Sequence, residues 1–193
     1  MHANPRKTTS TRPLALVDIT ALREAVLAIP EELWDAENAD KPNRFEALDR
    51  TRHIAFRFVD NFQDWRQSHD RPLWAQWRSL IEPVLAQSVK PYGYARVAFP
   101  RVMLARMAAG GVIKPHRDAN PAAKWPHKIH VPLLTNDKVT FFVDGVGYHF
   151  REGEAVEVGN MAVHAVHNAG DSDRIHLIFE CYDLDQPQPD WVS

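Results

Sequence analysis

The sequence predicts a mainly β domain, a sandwich or barrel of short strands with helices packed on its outside. Three observations carry that expectation. After Pro91 the chain falls into short apolar or alternating runs punctuated by turn residues, the pattern of closed or stacked all-β folds. Before Pro91, two stretches repeat their apolar residues at helical spacing instead. At 193 residues and 45% apolar composition the chain can bury one sizeable core.

The elements follow in chain order. Residues 1–13 are polar and lack the apolar centre of a signal peptide, so they read as a flexible N-terminal arm. Residues 14–193 then read as a single domain, with helical support over 14–90 and a β core over 91–182. From Thr20 to about residue 34, Leu22, Val26, Leu27, Ile29 and Leu33 recur at helical spacing, with Thr20 as N-cap and Pro30 as an interruption. Residues 44–59 read as one or two strands, since polar and apolar residues partly alternate over 51–58. A second helix is expected over 72–88. Pro72 lies in its first turn, Trp74, Trp77, Leu80, Ile81 and Leu85 on its inner side, and Pro83 as a kink. Strands are expected at 94–99, 102–107, 112–116, 128–134, 139–143, 147–150, 155–158, 162–166 and 174–182. Gly110-Gly111, Asn136-Asp137, Asp144-Gly145 and Glu152-Gly153 supply turns between them. The tail, 183–193, reads as irregular.

Composition narrows the function classes. A formal net charge of -2 and a pI near 6.5, with no basic stripe, argue against a nucleic-acid surface. No apolar run approaches the roughly 18 residues of a membrane span. The lone cysteine, Cys181 in Phe179-Glu180-Cys181-Tyr182, excludes an internal disulfide and fits a reducing cytoplasm. It reads as a small buried strand residue, not a nucleophile.

The chemistry concentrates in one run. His116-Arg117-Asp118 offers an imidazole and a carboxylate two residues apart, and on an extended strand such positions share a face. His164, from another strand, would complete a set of two His and one carboxylate. That set leaves coordination positions open, as in non-haem Fe(II) oxygenases. Arg174 adds a fixed cation at strand spacing, suited to gripping the far carboxylate of a 2-oxo acid. A His-x-Asp pair alone is a weak signal that arises by chance in a chain this long. Its context strengthens it.

Pro115-His116-Arg117-Asp118, Lys128-Ile129-His130-Val131, His164-Ala165-Val166-His167-Asn168 and Arg174-Ile175-His176-Leu177 follow in that order. The segment from about 94 to 180 thereby resembles the aspartyl/asparaginyl β-hydroxylase-like family of Fe(II)/2-oxoglutarate-dependent oxygenases, which includes proline cis-4-hydroxylase-like amino-acid hydroxylases. The resemblance implies a double-stranded β-helix (jelly-roll, cupin-like), with N-terminal helices on its outer sheet. It implies Fe(II) on His116, Asp118 and His164, and the distal carboxylate of 2-oxoglutarate on Arg174. Lys128 and His130 would line the pocket near the keto-acid end, and Arg106 falls where relatives often carry an inner-sheet arginine. Lys128 departs from the family, which usually has Arg there, and Lys lacks the planar two-pronged contact. Asp118 favours hydroxylation, because halogenases of the wider superfamily replace that carboxylate. The implied activity is O2-dependent hydroxylation of an unactivated C–H bond in an amino acid, amino-acid derivative or peptidyl residue, releasing succinate and CO2.

Other polar residues read more plainly. His167 competes with His164 as third ligand, but His164 sets Arg174 at the family's spacing. His176 reads as a hydrogen-bonded core histidine, with a pocket role as the alternative, and Asn168 as a turn residue. His127 and His149 read as surface residues. Arg52, His53 and Arg57 read as the solvated face of a charged strand, with contact to a substrate carboxylate at the mouth of the barrel as the rarer alternative. Two rival classes are a cupin-type metalloenzyme not using 2-oxoglutarate and a non-catalytic small-molecule-binding jelly roll.

Overall fold

The computed structural model describes residues 6–48 and 50–187. Its chain order runs β1 (Thr11–Leu16), α1 (Thr20–Leu27), α2 (Glu31–Ala39), β2 (Thr51–Val59), β3 (Ser68–Asp70) and α3 (Trp74–Val89). There follow β4 (Val97–Ala98), β5 (Val102–Met107), β6 (Val112–His116), α4 (Pro121–Lys124), β7 (His127–Leu134) and β8 (Val139–Val143). The last elements are β9 (Val146–Tyr148), β10 (Glu154–Val158), β11 (His164–Asn168) and β12 (Arg174–Asp183). Two antiparallel sheets result. The major one has the order β1-β10-β7-β12-β5-β2-β3, with β4 paired to β12, and the minor one β6-β11-β8-β9. This is the jelly roll, mainly β, that the sequence implied.

Alternation along β5 shows how the layers are assigned. Val102 and Leu104 are fully buried against the helices, with Ile54, Phe56, Ile81 and Leu85. Met103 and Ala105 point to the other face, and Met107 joins Ile113, Phe141, Val156 and Val166 between the two sheets. Each such buried side chain contributes about 1.5–3 kcal/mol relative to exposure. The helices cover the outer face with matched spacing: Leu22 and Val26 on α1, Trp34 on α2, and Ile81, Val84, Leu85 and Ser88 on α3. Pro83 lies inside α3 on its exposed side without ending it.

Turn chemistry pins the strands. Asp144 and Gly145 have φ of 47° and 81° and form the two-residue connection of the β8–β9 hairpin, the left-handed pair that a type I′ turn requires. Gly159, just past β10, is needed for space, because a Cβ there would lie 2.6 Å from the backbone of Thr9.

The structure corrects several expectations. Thr11–Pro13, assigned to the flexible arm, are the first half of β1 and pair with β10 from Thr11↔Val158 onward. The expected single helix is two, with Pro30 in extended conformation as the N-cap of α2. Thr20 is the first residue of α1, not its cap; its N–H is received by the Asp18 carboxylate at 2.9 Å. The strand expected at 162–166 starts at His164, that at 94–99 shrinks to two residues, and β3 and α4 carried no recognised signal. The tail is strand as far as Asp183, and 188–193 lie outside the described residues.

His127, expected at the surface, is fully buried. Its Nδ1 lies 2.8 Å from Glu157, which also accepts from the Tyr92 hydroxyl and the Thr8 N–H. Burial would raise the Glu157 carboxyl, but His127 and these donors outweigh it and hold it below its ordinary value.

Candidate metal centre

Antiparallel pairing of β6 with β11 sets His116 directly across from His164, and their rings lie 4.2 Å apart. Each ring has its Nδ1 on the carbonyl two residues earlier, His116 on Lys114 at 2.8 Å and His164 on Ala162 at 3.1 Å. A donating Nδ1–H fixes the tautomer that leaves the Nε2 lone pair for a ligand role. Phe141 stacks parallel to His164. Burial first, and Lys128 further, pull the His164 imidazole down to about 4 despite the opposing pull of Asp118, so it is neutral at physiological pH.

Asp118 reaches the same spot differently. β6 ends at His116, and Asp118 lies two residues beyond, fixed by its N–H donating to the Asn160 carbonyl at 3.0 Å. Its carboxylate receives Lys128 Nζ and, at 3.4 Å, the Asn160 amide. Burial works to raise this carboxyl, but Lys128 and His164 prevail and hold it well below the carboxylate range. One donor atom from each of His116, Asp118 and His164 lies within 4.8 Å of the other two. Two imidazoles and an ionised carboxylate fit a divalent transition metal.

A cavity opens from these residues into the space between the sheets, lined also by Lys128, His130 and Arg174. Arg174 is 1% exposed and has no carboxylate partner among the described residues. One Nη donates to His176 Nδ1 at 2.7 Å, while its Nε, like His130 Nδ1 and His176 Nε2, is buried without a partner. Burial alone lowers the guanidinium to about 9, still charged at neutral pH. Burial first, then Arg174, drives His130 and His176 well below the usual imidazole range. The deep cavity therefore carries an uncompensated cation among neutral rings. An oxyanion would supply the missing acceptor.

Of the residues singled out from sequence, His116, Asp118, His164, Lys128, His130 and Arg174 meet at this cavity. Arg106 does not. It shares the outer face of β5 with Leu104, lies over Trp34 and pairs with Glu31 and Asp173. Lys128 lines the cavity with its amine committed to Asp118. His176 stands behind Arg174 as its hydrogen-bond partner, His167 is exposed against Phe142, and Asn168 holds the Ala108 and Ser172 carbonyls. His53 was missed. It is 2% exposed, lines the cavity and is held by Thr51 and Asn43. Its neighbour Arg52 does face outward, to Glu31, and the period of two from Arg52 sets His53 inward. Arg57 also pairs outward, with Asp70, because the strand's register shifts between Ala55 and Arg57.

A second chamber adjoins the first and shares Asp118, Lys128, Met103 and Ile178 with it. Its own lining includes Phe45, Phe58, Phe62, Arg101, Asn120 and Glu180.

Comparisons with known proteins agree with this architecture. A family model described as aspartyl/asparaginyl β-hydroxylase matches residues 75–183. No curated protein sequence matches the chain. Among solved structures, a 2OG-Fe(II) oxygenase family oxidoreductase from Burkholderia pseudomallei is 16% identical, with 89% of this chain and 84% of that one covered, at a TM-score of 0.61. The non-heme alpha ketoglutarate dependent carbocyclase SnoK, from nogalamycin biosynthesis, is 16% identical over 92% of this chain and 81% of that one, with TM-score 0.60. A viral collagen prolyl hydroxylase from Paramecium Bursaria Chlorella virus-1, in complex with 2OG, is 10% identical over 90% and 95%, with TM-score 0.55. At these identities the likeness shows the fold, that of the 2OG-Fe(II) oxygenases.

Proposed function

This chain belongs to the aspartyl/asparaginyl β-hydroxylase family, and from that premise we propose that it is a 2-oxoglutarate-dependent non-haem iron dioxygenase. One observation carries the reading: an unpaired buried guanidinium, Arg174, lines the same cavity as a cluster of two His and one Asp. A metal-binding fold without a keto-diacid cosubstrate leaves that cation unexplained.

In this reading His116, Asp118 and His164 would hold Fe(II). When bound there with 2-oxoglutarate and O2, the iron supplies the oxidising chemistry that turns C–H into C–OH and releases succinate and CO2. The chain's own groups position and protect. Arg174, held by His176, takes the distal carboxylate of 2-oxoglutarate two-pronged. His130, neutral and packed at 5.3 Å from Phe141, lines the path between that carboxylate and the ligands. Lys128 keeps Asp118 ionised and oriented. Ile113, Phe141 and Val166 wall the cavity against bulk water.

The substrate is a small molecule of amino-acid type or a peptidyl residue, and the domain that begins with β1 acts without nucleic acid. No described helix is long and apolar enough to cross a membrane, and the buried thiol of Cys181 is compatible with a cytoplasmic setting. Anaerobic addition of Fe(II) and then 2-oxoglutarate tests the reading: a weak visible charge-transfer band should appear, and admission of O2 should release succinate. No band in the wild type, with iron bound, sinks it.

A further inference from the structure

We propose that the outer chamber receives an uncharged apolar group of the substrate, ring-bearing or branched, attached through a hydrogen-bond-accepting carbonyl and not through a free ammonium and carboxylate. The proposal rests on the oxygenase reading for what happens at Asp118, and not for the binding itself.

Position comes first. The chamber shares Asp118 and Lys128 with the deep cavity, so a group seated in it ends beside the metal cluster. Its wall is aromatic. Phe62 meets Phe45 edge-on at 5.5 Å and Phe58 edge-on at 6.0 Å. Phe45 stays 46% exposed. An aromatic patch left open at a cavity beside reactive groups is better suited to covering by an apolar ligand than by water.

Charge then selects the ligand. Both cations of the chamber are already matched. Arg101 donates to both oxygens of Glu180, at 2.7 and 2.9 Å, and lies over the faces of Phe58 and Phe62. Lys128 is on Asp118. Glu180, itself 2% exposed, already neutralises Arg101 through one Nη. A substrate carboxylate at the other Nη or at the unpartnered Nε would therefore lie beside a buried acid with no further cation to match it. A substrate ammonium faces the converse obstacle. One neutral donor is left over. Asn120 gives its side-chain oxygen to Arg101 at 3.3 Å, and its amide nitrogen has no partner among the described residues, so it can donate to a carbonyl.

The test titrates the full chain, with and without Fe(II) and 2-oxoglutarate under argon, by calorimetry. The probes are N-acetyl-L-phenylalaninamide, free L-phenylalanine and N-acetyl-L-alaninamide. The neutral aromatic probe should bind at least tenfold tighter than either of the others. Phe62→Ala should weaken it at least fivefold while Phe62→Leu keeps most of the affinity, and 2-oxoglutarate binding should be unchanged in both. Equal or tighter binding of the zwitterion overturns the proposal. So does no preference over the alanine probe, no binding of any probe, or indifference to Phe62→Ala. Failure of 2-oxoglutarate to bind the wild type would instead strike the oxygenase reading, and the ligand preference would stand or fall separately.

Discussion

Arg101 and Arg174 are both buried, at 6% and 1% exposure, and they line neighbouring chambers, yet among the described residues one has an acid and the other does not. Arg101 is locked to Glu180 by two hydrogen bonds, while Arg174 donates to a neutral imidazole. A buried guanidinium with its counter-ion is part of a wall. One without is a socket, because desolvating an unmatched charge is costly unless a ligand later supplies the anion. The difference separates, from charge alone, the chamber suited to an anion from the one that is not.

That comparison breaks most visibly at the far end of the socket. His164→Ala or Asp118→Ala should cut iron affinity by more than the roughly 10–100-fold that loss of a supporting group costs, with turnover lost. An iron titration showing full affinity in either variant ends the ligand assignment. Next, Arg101→Met should destabilise by about 3–5 kcal/mol in denaturant melts, because Glu180 is left uncompensated. Joining it with Glu180→Leu should recover most of that loss. Arg174→Met should behave oppositely, with no loss of stability without ligand. It should raise the 2-oxoglutarate requirement by about 2–5 kcal/mol of binding free energy. Wild type at 100 times Kd should gain about 2.7 kcal/mol of stability from 2-oxoglutarate, and the variant at that concentration should gain little. If both arginine variants lose stability alike, wall and socket are not distinct.

The smallest effect concerns another buried ion, Glu157, whose partners are His127, Tyr92, the Thr8 N–H and, at 3.5 Å, the half-exposed Arg12 guanidinium. Its carboxyl lies lower in the folded chain than its ordinary 4.5. The stability it contributes is therefore present above pH 4.5 and lost as pH falls through the folded value. Glu157→Gln should flatten that acid limb. An unchanged limb in thermal melts between pH 6 and 3 would assign acid sensitivity elsewhere.

Sequence resolved the strands whose ends carry turn residues. Val102–Met107, Val112–His116 and Val139–Val143 have the expected bounds, because Gly110, Asn136 and Asp144 punctuate them. It did not resolve which face a polar side chain takes. Arg106 and His53 sit on strands of obvious period, but only the pairing Ile175↔Arg106 and His53↔Ala105 against the helical layer decides inside from outside. His127 was misread because a polar residue is normally exposed, and its acid lies thirty positions away. Asp118 joins the cluster from beyond the strand end, through a hydrogen bond to Asn160 that no local spacing encodes. The motif order exposed the members of the site; their electrostatic pairing came only with the fold.

The pairing of β1 with β10 also dictates timing. The ribosome makes β1 well before β10, so its hydrogen-bonding edge has no complement there until Glu154–Val158 have been synthesised, and Gly159 must then admit the backbone of Thr9. Such distant closure slows folding. The nascent chain must carry an open strand edge while the intervening residues are made, which is when it is most vulnerable to joining the wrong neighbour.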